Sequence, residues 1–193
     1  MTIEQSVHKL VNAFKEGKYN MGVIEYSDKE LSSPVINPPL NGELLYYYLH
    51  LNLKDVPIFS GDLHLRLIEN NDLEKALDGW RNQDDQSDWK DDYIIFAERH
   101  GDVLFCDLRD INSPVYSCRH GAGKITTYKL TNTLGDFIDI YTSITEIDRV
   151  QLNYEINDED FNQKPEFTLS MKNILENNLT HDLANNFFDF FFG

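Results

Sequence analysis

The sequence predicts an α+β fold: a mainly antiparallel, twisted sheet with helices packed against it, followed by a C-terminal helical extension. Three observations carry this prediction. An amphipathic helix opens the chain, four short strand-like runs lie between residues 93 and 130, and helical periodicity returns after residue 131. Short loops between neighbouring strands favour an antiparallel meander, and clustered strands flanked by helices are typical of α+β rather than alternating βαβ proteins.

The first two helices are predicted from apolar spacing and caps. One stripe of the first helix holds Ile3, Val7, Leu10, Val11 and Phe14. Thr2 and Gln5 have capping-box spacing, and Gly17 is expected to end this helix in a left-handed conformation. Asn41 is expected to cap a second helix that runs to about Asn52, with Leu44, Leu45, Tyr48 and Leu49 inward. Its aromatic run YYYLHLNL also suits a strand.

The middle of the chain is predicted to be mostly sheet. Alternating Leu63, Leu65 and Leu67 predict a half-buried strand, and a short helix is expected after Asn71 or Asp72. Four meander strands are predicted at residues 93–97, 103–107, 115–118 and 125–130. Thr131 or Thr133 is expected to cap the next helix, whose buried face carries Leu134, Phe137, Ile138 and Tyr141.

The last fifty residues are expected to add one edge strand and two helices. Val150, Leu152 and Tyr154 alternate and predict the strand. A helix is predicted after Pro165, with Leu169, Ile174 and Leu175 on its apolar face, and the final helix is predicted from His181 to Phe192. Residues 1–143 are thus expected to form an α+β domain, and residues 144–193 an acidic extension packed on it.

Charge narrows the possible partners. The chain has 33 acidic and 17 basic residues, a net charge of −16, and residues 131–193 alone carry twelve acidic and three basic side chains. Such a field repels phosphate backbones, which disfavours direct nucleic-acid binding, and it attracts basic partners. Its 41% hydrophobic and 12% aromatic content excludes a disordered acidic tail.

The sequence also predicts a location. Its first twenty residues lack the pattern of a signal peptide, and no apolar run is long enough to span a membrane. We therefore expect a cytoplasmic protein that does not bind membranes, with Cys106 and Cys118 as reduced thiols.

Residues 80–141 resemble the SUKH superfamily, which includes fungal cell-wall-synthesis regulators of the Smi/Knr type and many bacterial immunity proteins. The segment IIFAERHGDVLFCDL matches the family's apolar-Phe-Ala, Gly-Asp, strand-Asp order, and a weaker likeness extends from about residue 40. The residues that carry the pattern are Trp80, Trp89, Tyr93, Phe96, Ala97, Gly101, Asp102, Asp107 and Phe137. We expect these to be structural: Gly101 in a backbone conformation that side chains resist, Asp102 and Asp107 as caps of backbone N–H groups, and Phe96 and Phe137 in the core.

The sequence contains residues that can catalyse reactions or bind metals, but not in the spacing of known sites. A catalytic group could consist of Cys118 as nucleophile, His120 as base and Asp102 or Asp107 as the residue that orients the base. This arrangement lacks a known catalytic signature, so we expect that the protein is not an enzyme. A hydrolase is the remote alternative. His100, Asp102, Cys106, Cys118 and His120 share one meander but lack the pair spacing of a zinc site. The aspartates around Trp89 lack the order of a calcium loop. No phosphate-binding loop is present in the sequence either, and no metal or cofactor is expected.

The resemblance implies a non-catalytic protein-binding module, in bacteria an immunity protein that neutralises a toxin of a polymorphic toxin system. Such toxins are often basic nucleases, which acidic inhibitors complement. The alternative is an intracellular regulatory scaffold of the Smi/Knr type. The predicted binding surface is acidic and surrounds Trp89: Asp84, Asp85, Asp88, Asp91, Asp92 and Glu98. The competing reading makes Trp89 a core residue in a merely solvated loop.

Overall fold

The computed structural model describes residues 1–81, 89–121, 125–160 and 162–193. These residues form seven strands and six helices, which confirms the α+β class. The strands are β1 (Met21–Tyr26), β2 (Leu51–Phe59), β3 (Leu65–Leu67), β4 (Tyr93–Arg99), β5 (Asp102–Asp107), β6 (Val115–Cys118) and β7 (Thr127–Thr131). The helices are α1 (Ile3–Glu16), α2 (Gly42–His50), α3 (Leu73–Ala76), α4 (Leu134–Glu146), α5 (Pro165–Asn178) and α6 (His181–Phe192).

The seven strands form one antiparallel sheet in which each strand lies beside its neighbour in sequence. The predicted meander of β4 to β7 is confirmed. β1 was not predicted, because only Ile24 among its six residues is buried and a bulge between Met21 and Val23 interrupts the alternation.

Local capping explains where α1 begins and ends. Thr2 Oγ1 accepts a hydrogen bond from the backbone N–H of Gln5 at 3.4 Å, and the Gln5 side chain accepts one from Thr2 N at 3.1 Å, so the capping box is confirmed. The prediction that Gly17 ends the helix in a left-handed conformation is wrong, because this residue has φ −73° and ψ 115°. Phe14 O instead accepts hydrogen bonds from Gly17 N and from Asn20 Nδ2.

The aromatic run YYYLHLNL is partly helix and partly strand, so each of the two predictions for it is correct in part. The chain is helical to His50 and turns into β2 at Leu51. Asn41 precedes the helix, but its side chain donates to Leu108 O at 2.9 Å instead of capping. The fully buried residues of α2 are Leu44, Tyr47 and Tyr48, whereas Leu45 and Leu49 are half-buried.

The helix α4 begins as predicted and ends differently. Thr133 Oγ1 accepts from Asp136 N at 2.8 Å and caps it. The helix then runs into a π-helical turn, Ile147–Gln151, so the predicted edge strand at Val150 is wrong. Burial of Ile147 holds this turn against the fold, whereas Val150 is exposed.

The core lies where α2, α4 and the C-terminal helices cover one face of the sheet. Phe96 of β4 meets Phe137 of α4 edge-on at 5.7 Å, and Phe59 of β2 meets Tyr141 of α4 at 5.2 Å. The aromatic end of α6 joins them through Phe187, Phe190 and Phe191, and α5 contributes Phe167, Met171 and Leu175. Leu169 was expected in this stripe but is 62% exposed. Within the described residues, no helix has the length and apolarity needed to cross a membrane.

Candidate partner-binding site

Both tryptophans lie against aromatic residues of the central strands. Trp89 is 5.2 Å from Trp80, 5.6 Å from Tyr93 and 4.8 Å from Phe105, measured between ring centroids. Register places Phe105 opposite Tyr116 on the next strand, and these rings stack at 5.6 Å. We call this set of five residues (Trp80, Trp89, Tyr93, Phe105 and Tyr116) the tryptophan face.

Burial differs sharply across the tryptophan face. Tyr93 and Phe105 are buried, whereas Trp80, Trp89 and Tyr116 remain half-buried. Trp89 therefore has one surface packed against the sheet and another accessible from outside. A rigid aromatic side chain of this kind can serve the core and anchor a partner at the same time.

Charges of both signs surround the tryptophan face. Asp91 is exposed and Asp92 half-buried, while Asp84, Asp85 and Asp88 lie outside the described residues. Cations also approach the rings: Lys90 and Arg109 lie 5.6 and 5.9 Å from the centre of Tyr93, and Lys129 lies 6.0 Å from that of Tyr116. The described part of this face is therefore mixed in charge.

Glu98 belongs to a different neighbourhood. It lies opposite Arg66 on β3, and the two side chains form a half-exposed ion pair at 2.8 Å. Its charge is thus matched within the sheet, which separates it from the aspartates near Trp89.

The Gly-Asp pair of the resemblance shapes the turn between β4 and β5. Gly101 has φ +94°, in the region that favours glycine, and a Cβ there would lie 3.0 Å from the His120 ring. Asp102 Oδ1 accepts from His120 N at 3.0 Å and lies 2.9 Å from His120 Nδ1. These two residues therefore fix the turn against the end of β6.

Asp107 organises the other end of β5. This buried carboxylate accepts from the backbone N–H of Arg109 at 3.0 Å and from its Nε at 2.8 Å. Burial raises the pKa of Asp107, but the hydrogen bonds and charge of Arg109 outweigh it and leave the pKa below its ordinary value. Asp107 is thus an ionised structural anchor beside Tyr93.

The thiols and histidines of the meander do not converge. Register puts Cys106 opposite Val115 and Cys118 opposite Val103, so the two cysteines are separated along the ladder. Burial raises the pKa of the Cys106 thiol well above its ordinary value. His100 stacks on His64 at 4.6 Å. Among the described residues, no group of three or more His, Cys, Asp or Glu side chains could hold a metal ion.

A second acidic surface lies in the C-terminal extension. We call residues 155–160 the acidic loop, because its exposed side chains are Glu155, Asp158, Glu159 and Asp160. Asp158 Oδ1 accepts from the backbone N–H groups of Asp160 and Asn162 at 2.9 and 2.8 Å, which holds the loop in a turn.

The two surfaces offer different means of binding. The tryptophan face combines aromatic anchors with charges of both signs, and the acidic loop offers charge alone. Comparison with family models, with curated proteins and with solved structures finds no match to the chain.

Proposed function

We propose that this chain is a non-catalytic module that binds and neutralises a basic protein, as an immunity protein does with its toxin. The observation that carries the proposal is the excess of carboxylates without an opposite charge. The chain has 33 acidic residues, yet among the described residues only five carboxylates pair with an Arg or Lys side chain. The uncompensated charge attracts a basic partner over distances near the Debye length and speeds its association.

The resemblance to the SUKH superfamily suggests which kind of basic protein is bound, namely a toxin. Immunity proteins act by stoichiometric binding, which requires a surface rather than a catalytic cleft. Toxins of this kind are often basic nucleases, and an acidic inhibitor complements both their charge and their nucleic-acid-binding surface. We therefore expect the partner to be encoded immediately upstream.

Within this proposal, the tryptophan face is the contact surface. Trp89 has accessible area and a packed backing of Trp80 and Phe105, so little side-chain freedom is lost on binding. Aspartates flank it in sequence on both sides, at residues 84–88 and 91–92. Aromatic anchors surrounded by polar residues concentrate binding energy in known interfaces.

Co-expression with the upstream gene product tests the proposal. Wild type should protect cells, and the triple variant Asp84→Lys, Asp85→Lys, Asp88→Lys should lose protection. With purified proteins at low salt, the triple variant should associate about tenfold more slowly, because steering is lost. Trp89→Ala should chiefly raise the dissociation rate.

A matched triple variant in the acidic loop provides the control. Glu155→Lys, Glu159→Lys, Asp160→Lys makes the same charge change and leaves the turn-forming Asp158 in place. It should keep most of the protection. If only this variant loses protection, the contact surface lies on the C-terminal extension. If the wild type neither protects nor binds the upstream product, immunity is the wrong function.

A further inference from the structure

A cavity lined by both polar and apolar groups lies beside α1. It occupies about 150 Å³ between α1, α4 and the segment that joins β2 to β3. This is several times the roughly 30 Å³ that one molecule occupies in liquid water. Part of its wall is the π-helical turn after α4, and such turns are frequent at functional sites.

The wall of this cavity contains a buried carboxylate, Asp148. Its side chain is only 4% exposed, and its buried Oδ1 has no hydrogen-bond partner among the described residues. Two cations, Lys9 and Arg149, line the same cavity, and each already has a partner other than Asp148. Lys9 Nζ donates to Asp139 O at 3.0 Å and to Ser143 Oγ at 2.7 Å, and Arg149 pairs with Glu16.

The hydroxyl groups near Asp148 are arranged as acceptors. Thr142 Oγ1 donates to Ile138 O at 2.7 Å, and Thr145 Oγ1 donates to Thr142 O at 2.8 Å. Because both hydroxyl hydrogens are committed to the helix backbone, the oxygen lone pairs are left to accept. Asp148, Thr142 and Thr145 all line the cavity, and a carboxylate with two hydroxyl acceptors suits a group with several N–H donors.

The remaining wall is apolar. Phe59, Leu63 and Ala13 line the cavity together with the polar groups. Phe59 and Leu63 are almost fully buried, so their position is fixed by the core. A ligand with a cationic head and a short hydrocarbon stem would satisfy both kinds of wall.

We propose that this cavity binds a primary ammonium group at the end of a short alkyl chain. The ammonium head lies against Asp148 with Thr142 and Thr145 as further acceptors, and the stem lies along Phe59 and Leu63. The proposal concerns a different surface from the tryptophan face and does not depend on the immunity function. A metal ion is a poorer occupant, because among the described residues no three His, Cys, Asp or Glu side chains are grouped to hold one.

Ionisation of Asp148 should control this binding. Burial, reinforced by the charge of Asp62, raises the pKa of Asp148 to about 6. The charged and titratable groups that surround it are Lys9 and Glu16 of α1, Asp62 before β3, and Glu146, Arg149 and Tyr154 around the π-helical turn. An alkylammonium ion stays charged from about pH 5 to about pH 8, so affinity should follow the carboxylate and fall about tenfold over that interval on acidification.

Titration of the full chain with n-butylammonium chloride, followed by amide NMR shifts of residues 142–149, tests the proposal. Binding should saturate at about pH 8, and Asp148→Asn should weaken it about tenfold or more, because a hydrogen bond to a charged group is lost. Asp139→Asn makes the same change on α4, at a residue that does not line the cavity, and should bind normally. Equal binding of 1-butanol, unchanged affinity in Asp148→Asn, or displacement by equimolar CaCl2 would overturn the proposal.

A second ligand distinguishes the source of the ammonium group. Nα-acetyl-lysine N-methylamide presents the same head and stem on a peptide backbone. If it binds as tightly as n-butylammonium, the cavity receives a lysine of a partner protein. If it binds at least about tenfold more weakly, the cavity takes a free amine. Failure of both ligands to bind at about pH 8 would refute the site without bearing on immunity.

Discussion

Two buried aspartates show how a neighbouring charge decides the behaviour of a residue. Asp107 and Asp148 are 5% and 4% exposed, respectively. Arg109 stabilises the ionised form of Asp107, whereas Asp148 faces burial and the negative charge of Asp62, and its pKa rises to about 6. Ionised Asp148 thus costs stability.

The first prediction is that Asp148→Asn stabilises the protein at neutral pH. An unfolded aspartate has a pKa of about 3.9, so the folded state binds the proton more tightly between about pH 4 and about pH 6. The contribution of Asp148 to the free energy of unfolding is therefore fully present below about pH 4 and is lost as the pH rises through about 6. At about pH 8 the variant should be more stable by roughly 2–3 kcal/mol, measured by urea unfolding.

Asp107→Asn is the opposite case and serves as the control. The lowered pKa of Asp107 contributes stability above its unfolded pKa, which the amide removes. This variant should unfold more easily than wild type at about pH 8, and the difference should shrink as the pH falls through the lowered pKa of Asp107. Equal destabilisation of both variants at about pH 8 would contradict the contrast between the two sites.

Residue roles could be predicted from sequence only where neighbours in the chain determine them. Thr2 and Thr133 cap their own helices, and Gly101 sits in the turn that its position after a strand suggests. Asp148 is one of 33 acidic residues, and no local pattern marks it. Its cavity is completed by Phe59, far away in sequence, so only the tertiary fold reveals the site.

At the scale of elements, α2 depends on a close approach between chain segments. Glu43 N donates to Ile111 O at 2.9 Å, which brings the start of α2 against the loop before β6. Gly42 has φ +56°, and a Cβ there would lie 1.9 Å from Ile111 O. Because the obstructing atom is backbone, the loop would have to move.

The second prediction is that Gly42→Ala destabilises the protein by about 3 kcal/mol or more, through both the left-handed conformation and the clash. Gly79→Ala is the matched control: φ is +82°, but nothing lies within 4 Å of its Cβ. That variant should lose only about 1–2 kcal/mol from backbone conformation. Thermal unfolding of both variants measures the difference, and similar losses would rule out the close approach.

Elements could be predicted where apolar periodicity is clear, and in α1 and α4 the capping residues agree with it. The helices α1, α4 and α6 and the strands β4 to β7 meet that condition and lie close to their predicted positions. The alternation of Val150, Leu152 and Tyr154 was misleading, because α4 continues into a turn held by burial of Ile147. In α5, Phe167 and Met171 face the core in place of Leu169, since the docking direction of a helix is set by its partners.

At the scale of the whole molecule, charge and packing oppose each other. A continuous core links all six helices to the sheet, while a net charge of −16 repels itself across the surface. The ion pairs of the described residues are mostly exposed on at least one side, and such pairs contribute little. Much of the acidic charge therefore lowers stability in the absence of a basic partner or of salt.

The third prediction follows from that opposition: salt should stabilise the protein alone and weaken its association with a basic partner. Raising NaCl from 0.01 M to 0.1 M shortens the Debye length from about 30 Å to about 10 Å. Relief of self-repulsion by about 1 kcal/mol would raise Tm by roughly 2–4 °C for a chain of this size. The variant Glu155→Gln, Glu159→Gln, Asp160→Asn removes three charges, keeps the turn at Asp158, and should show a smaller rise. Calorimetry at the two salt concentrations measures the rise in Tm of the wild type and of the variant. If the Tm of the wild type is unchanged or lower at the higher salt concentration, repulsion among the carboxylates does not limit stability.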